Sequence, residues 1–187
     1  VPAPTMVVAR SGSGDVSVSG VGNAVTANSG SGDITVSDVG GDLDARTGSG
    51  SVTVKGARRG ANLSSGSGDI AAALTGEGDV KVSTGSGDIK VTGVVGQLTA
   101  QTGSGGIGVQ GRPTGDWKVS AASGDVDVQV PAEQGFTLEA STSSGSLDIA
   151  APLTVQGKVD RRRIAGSVRG GGPTLRLSTA SGDIAVR

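Results

Sequence analysis

The feature that most constrains this chain is a short segment that recurs from one end to the other. The segment Ser29-Gly30-Ser31-Gly32-Asp33-Ile34-Thr35-Val36 has altered copies closed by Gly14, Gly32, Gly50, Gly68, Gly87, Gly105, Gly124, Gly145 and Gly182. The spacings are 18, 18, 18, 19, 18, 19, 21 and 37 residues, the last about two periods. A period this short and regular predicts a solenoid, in which one repeat is one coil that cannot bury its apolar face alone.

Alignment on the closing glycine shows which way side chains point. Seven residues before it stand Val7, Val25, Leu43, Ala61, Val80, Leu98, Trp117, Leu138 and Leu175. Five before it stand Ala9, Ala27, Ala45, Leu63, Val82, Ala100, Val119, Ala140 and Leu177. Three before it is Ser or Thr, except for Ala121, and immediately before it is always Ser. The intervening residues are mostly polar or small, which is a strand of period two with one face inward. After the glycine the apolar positions fall at plus two, as in Ile34 and Val52, and at plus four, as in Val36 and Val54. Inward parity has therefore moved by one residue. The chain must turn a corner at the glycine, the residue that tolerates such a bend.

The expectation is an all-β fold, a single-stranded parallel β-helix or β-solenoid with about 18–19 residues per coil. Nine to ten coils stacked roughly 4.8 Å apart give a rod of about 45 Å. The handedness rule for parallel crossovers predicts a right-handed coil.

The 187 residues suit one domain. Residues 1–6 read as a lead-in, because Pro2 and Pro4 disfavour a paired strand. Trp117 takes an inward slot and is expected to fill the core where the solenoid widens. Between Ala151 and Gly172 a copy is missing, and residues 151–172 read as a degenerate coil or protruding hairpin. Residues 173–187 form a final coil whose strand edge is left open unless 151–172 folds over it. The 35 glycines would suggest disorder if they lacked a period.

A net charge of −1 gives no electrostatic reason to expect nucleic acid or an anionic membrane as partner. The absence of cysteine fits an envelope or secreted protein and equally a cytosolic one. No apolar run reaches the 18 residues a membrane span requires. The start at Val1-Pro2-Ala3-Pro4 suggests a mature or excised domain, with any signal or anchor outside it.

Asp15, Asp33, Asp69, Asp88, Asp125 and Asp183 follow their closing glycines and are the candidates for calcium. Calcium solenoids need Asp at a different spacing and twice per turn, so corner carboxylates accepting backbone N–H groups are the better reading. The serine columns have no histidine to activate them, since the chain contains none, and a hydroxyl ladder from coil to coil is expected instead. No cofactor is implied. Arg161, Arg162 and Arg163 form a basic run, either a solvated turn or a contact for an acidic partner.

The nine copies of Ser/Thr–small–Ser–Gly–Asp/Ser/Gly–aliphatic (Ala121 opens one), with the ending Gly170-Gly171-Gly172-Pro173-Thr174-Leu175-Arg176-Leu177-Ser178-Thr179-Ala180-Ser181-Gly182-Asp183-Ile184, resemble the bacterial DUF4097 family of adhesin-type β-strand repeat proteins. The resemblance covers essentially the whole chain. It implies a β-helix at or near the bacterial envelope, with no catalytic residues to carry over. The combined expectation is a non-enzymatic adhesion or interaction scaffold of the cell envelope or extracellular space, with the cytoplasm left open as an alternative, and with a protein or glycan surface partner. The alternatives are an architectural subunit that self-associates through its coil ends, and a calcium-stabilised solenoid.

Overall fold

The computed structural model describes residues 6–155 and 162–187. It is an all-β parallel solenoid of about 18 residues per turn, without helix among the described residues. Each coil contributes a leading strand before its closing glycine and a trailing strand after it. Coil one is the pair Val7–Ser11 and Val16–Val21, and coil two is Val25–Ser29 and Ile34–Val39. The parallel register runs Val7↔Val25, Val25↔Leu43, Leu43↔Ala61 and Ala61↔Val80 in the leading sheet. In the trailing sheet it runs Val16↔Ile34, Ile34↔Val52 and Val52↔Ile70. The columns inferred from sequence are thus the stacked rows of the fold.

Burial follows the same columns. Val25, Ala27, Ile34, Val36, Leu43 and Ala45 are almost wholly inaccessible and belong to one continuous core. A third inward position lies near the second turn of each coil, at Val39, Ala57, Leu74 and Val94. It escapes a tally that stops four residues after the glycine. From coil five onward the chain also pairs through that second turn, giving the long strands Ile89–Ser104 and Ile107–Ser123 with register shifts at Thr92/Val94 and Gly96/Leu98. Trp117 fills its inward slot, fully buried, and its Nε1–H donates to the Gly96 carbonyl at 3.0 Å.

The corner glycine has a second cause beyond the bend. A methyl group on Gly32 would overlap the carbonyl of Gly14 one coil earlier, and one on Gly124 would overlap that of Gly105. Gly124 also has φ 142°, a conformation that L side chains rarely adopt. Coils come so close at this edge that a Cβ has no room.

Seven coils, from Val7 to Gln129, stack in sequence order. The expectation of nine to ten coils in simple succession is corrected at the far end. The leading strand of the final copy, Thr174–Ser181, pairs on one side with coil seven (Trp117↔Leu175) and on the other with Phe136–Ser144 of coil eight (Leu138↔Leu175). Its trailing strand, Ile184–Val186, lies likewise between Val126–Gln129 and Leu147–Ile149. The last copy in sequence is the penultimate one in space. Each copy carries the same inward pattern, so the pattern alone does not fix which copy neighbours which. In the exchanged order Ile184 and Val186 are fully enclosed, while Leu147 and Ile149 at the rod end are only partly buried.

The expected open edge on the final strand is therefore absent. The stretch 151–172 supplies two antiparallel strands, Leu153–Val155 and Arg163–Val168, paired through Leu153↔Val168. Arg163–Val168 in turn lies antiparallel along the outer edge of coil eight, with Phe136↔Val168 and Ser141↔Arg163. The reversal uses Arg169 at φ 51° and Gly170 and Gly171 at φ 85° and 87° before Pro173. This strand covers one rod end. At the other end, Val7–Ser11 and Val16–Val21 each pair on one side alone among the described residues.

Candidate functional site

Chemistry-bearing side chains sort into those consumed by the stack and those that face outward. The Ser/Thr column three before the glycine is of the first kind. Ser29 Oγ accepts the Gly32 N–H at 2.9 Å and donates to the Gly14 carbonyl at 3.0 Å. Thr47 repeats the bridge between Gly50 and Gly32, and Ser65, Thr84 and Thr102 each donate to the glycine of the coil before. Thr179 donates to Gly124 and Thr142 to Gly182, following the exchanged order. Ala121 is the missing rung. The invariant serines beside the glycine, such as Ser31 and Ser123, are exposed and stand outside this ladder.

The carboxylates are used in the same way. Asp15 Oδ1 accepts the Asp33 N–H and Asp33 Oδ1 the Ser51 N–H. Asp69 serves Asp88, Asp88 serves Gly106, Asp125 serves Asp183, and Asp183 serves Ser146. All six lie at 2.7–3.0 Å. In sequence order the three interruptions, Ser51, Gly106 and Ser146, look irregular. In spatial order the column reads Asp15, Asp33, Ser51, then Asp69, Asp88, Gly106, then Asp125, Asp183, Ser146. The neutral residue falls at every third coil. Carboxylates one coil apart, about 4.8 Å, repel by roughly 1 kcal/mol even in water, so the spacing keeps any third charge from adjoining a pair. Among the described residues no group of three or more acidic side chains is placed to hold a metal ion.

Asp183 is the most strongly held. The backbone N–H of Ser146, then its hydroxyl, hold the Asp183 carboxyl below its ordinary value of 3.8, against a weaker opposing effect of desolvation.

The outward faces hold what is left. Of the basic run, Arg161 lies outside the described residues, while Arg162 and Arg163 precede and begin the cap strand. Arg163 does not stand alone. Strand pairing sets Lys118 beside Arg176, Arg176 beside Glu139, and Glu139 beside Ala165. The neighbouring outward row reads Ser120, Ser178, Ser141, Arg163. All members of these two rows except Ser120 line an open depression of about 470 Å³ on the leading face. Arg176 Nε donates to Glu139 at 3.0 Å and Ser178 Oγ to Ser120 at 3.2 Å, whereas Lys118 and Arg163 have no acidic partner among the described residues. Sequence reasoning flagged Arg163 and missed Lys118 and Arg176. Both stand six residues before their glycine, but their adjacency depends on the exchanged coil order.

This architecture is that of a β-solenoid repeat protein whose internal hydroxyls and carboxylates bond coil to coil. The sequence model of the Toastrack DUF4097 family matches residues 5–187, and the chain belongs to that family. No curated protein and no solved structure matches it.

Proposed function

We propose that the chain is a non-enzymatic interaction scaffold of the bacterial envelope or cell surface, binding its partner through an outward sheet face. The observation that carries this reading is the division of labour among its polar groups. The Ser/Thr and Asp columns are spent within the stack, and one outward depression on the leading face carries Lys118 and Arg163 without an acidic partner among the described residues. The envelope location rests on the family resemblance. No helix among the described residues is long and apolar enough to cross a membrane. Fluorescently labelled protein should bind intact bacterial or host cells saturably and be displaced by unlabelled protein. Binding no greater than to inert beads would sink the proposal.

Self-association is a second reading, favoured by one observation. Both coil-one strands keep an open edge among the described residues, and Met6 just before them and Val8 within the first are exposed. The far end is covered on its leading side by Arg163–Val168, while Leu147–Ile149 on its trailing side pairs on one side alone among the described residues, so coil one offers the larger open edge. Sedimentation showing a monomer at every concentration would end it.

A further inference from the structure

We propose that the depression bounded by Lys118, Arg176 and Arg163 binds an anionic polysaccharide through its carboxylate or sulfate groups. The inference rests on the scaffold reading above and names the ligand class for it. Three cations from three separate segments meet there, offset by Glu139 alone. The whole chain carries a net charge of −1, so this patch departs from the mean surface and is not a sample of it. Side chains of all three cations are exposed, and Arg176 keeps guanidinium N–H groups beyond the one it gives Glu139. Lys118 and Arg163 stand three strand steps apart, roughly 14 Å, a span suited to successive charges on a polymer and too wide for one small anion.

The floor decides between polymers. Ser178 and Ser141 lie in the depression beside the cations and carry hydroxyls that can both donate and accept, as sugar hydroxyls require. Single-stranded nucleic acid relies on exposed aromatic rings for stacking, and the chain's two aromatics, Trp117 and Phe136, are both buried in the core. The exchanged coil order builds the site, because Arg176 enters the row between Lys118 and Glu139 only when the final coil lies there.

Titration calorimetry with polygalacturonate, dextran sulfate and neutral dextran tests the assignment, the first two separating carboxylate from sulfate. One or both charged polymers should bind and neutral dextran should not. Lys118→Ala and Arg163→Ala should each weaken binding about tenfold, the worth of a charge-assisted hydrogen bond. Glu139→Gln should tighten it about threefold by removing the competing charge, an effect a merely structural role would not give. Unchanged melting of these surface variants certifies their folds. The assignment is overturned if the charged polymers bind no better than dextran, or if the variants bind as the parent does. It is equally overturned if a poly-glutamate peptide binds as tightly as either polysaccharide. Saturable cell binding that persists beside a negative calorimetric result would reject this ligand while leaving the scaffold standing.

Discussion

Asp183 Oδ1 accepts both the backbone N–H and the hydroxyl of Ser146, at 2.7 and 2.8 Å, across 37 residues of chain. The carboxylate of the last copy thereby pins the corner of the copy before it, on the side facing the rod end.

This contact should make stability sensitive to acid. A carboxyl whose folded pKa lies below its unfolded value contributes stability that is fully present above the unfolded value and is lost as pH falls through the folded one. Melting temperature should therefore decline below about pH 4. Asp183→Asn should lower it at pH 7, and the gap to the parent should close in acid. A gap that stays constant from pH 7 to pH 2 would show that the charge contributes nothing.

Glycine substitutions should divide sharply by position. Gly124→Ala places a Cβ against the Gly105 carbonyl in an unfavourable φ, and should cost about 3 kcal/mol or more. Gly12 sits in coil one with open space where its Cβ would go, so Gly12→Ala should change stability by less than about 1 kcal/mol. Urea denaturation of the two variants would measure both. Equal losses would mean that crowding between coils is not what demands glycine.

The hydroxyl ladder invites both a deletion and a repair. Thr47→Val strands the Gly32 carbonyl and the Gly50 N–H near the buried corner and should cost about 1–3 kcal/mol. Ala121→Thr supplies a donor toward Gly105, in a column where Thr102 and Thr179 already fit on either side, and should add about 1 kcal/mol. A destabilised Ala121→Thr protein would show that the rung is absent for steric reasons.

Most of the fold was legible because a period-two pattern repeated at 18–19 residues leaves little freedom. The inward columns, the corner at each closing glycine and the core place of Trp117 all follow from side-chain direction. What stayed hidden is the adjacency of copies seven, eight and nine. Trp117, Leu138 and Leu175 are interchangeable as inward residues, so the repeat pattern does not say which of them stack on which. The same blindness hid the cationic depression, whose members meet only in the exchanged order. It also made the regular Asp–Asp–neutral series look broken.

Calcium should leave the protein unmoved. The Asp-column oxygens already accept N–H groups at 2.7–3.0 Å and the charges come in pairs, without a third acidic group beside them among the described residues. Melting in millimolar calcium and in chelator should coincide. A shift of many degrees would mean that the carboxylates turn outward to a metal, because a ligand specific to the folded state must stabilise it.

Removal of residues 173–187 should be disproportionately damaging. Leu175, Leu177, Ile184 and Val186 are fully buried, and their loss forgoes about 6–12 kcal/mol of apolar burial, comparable with the whole stability of a typical domain. The truncated chain should lose its cooperative melt and bind a hydrophobic dye. Retention of a sharp transition would place the final copy outside the cooperative unit.

The exchanged order also bears on the timing of synthesis. Ser120 of coil seven waits for Ser178, 58 residues further along the chain. At ribosomal rates of 5–20 residues per second that is about 3 to 12 seconds. For the second half of that interval coil eight is the nearer candidate, already complete and carrying the same inward pattern. If it docks first on coil seven it occupies the slot of the last copy, and must lift away before the native stack can close. The nascent rod therefore passes a decision point that a simple succession of coils would never meet, and its outcome is set by how long one wrong neighbour can hold on.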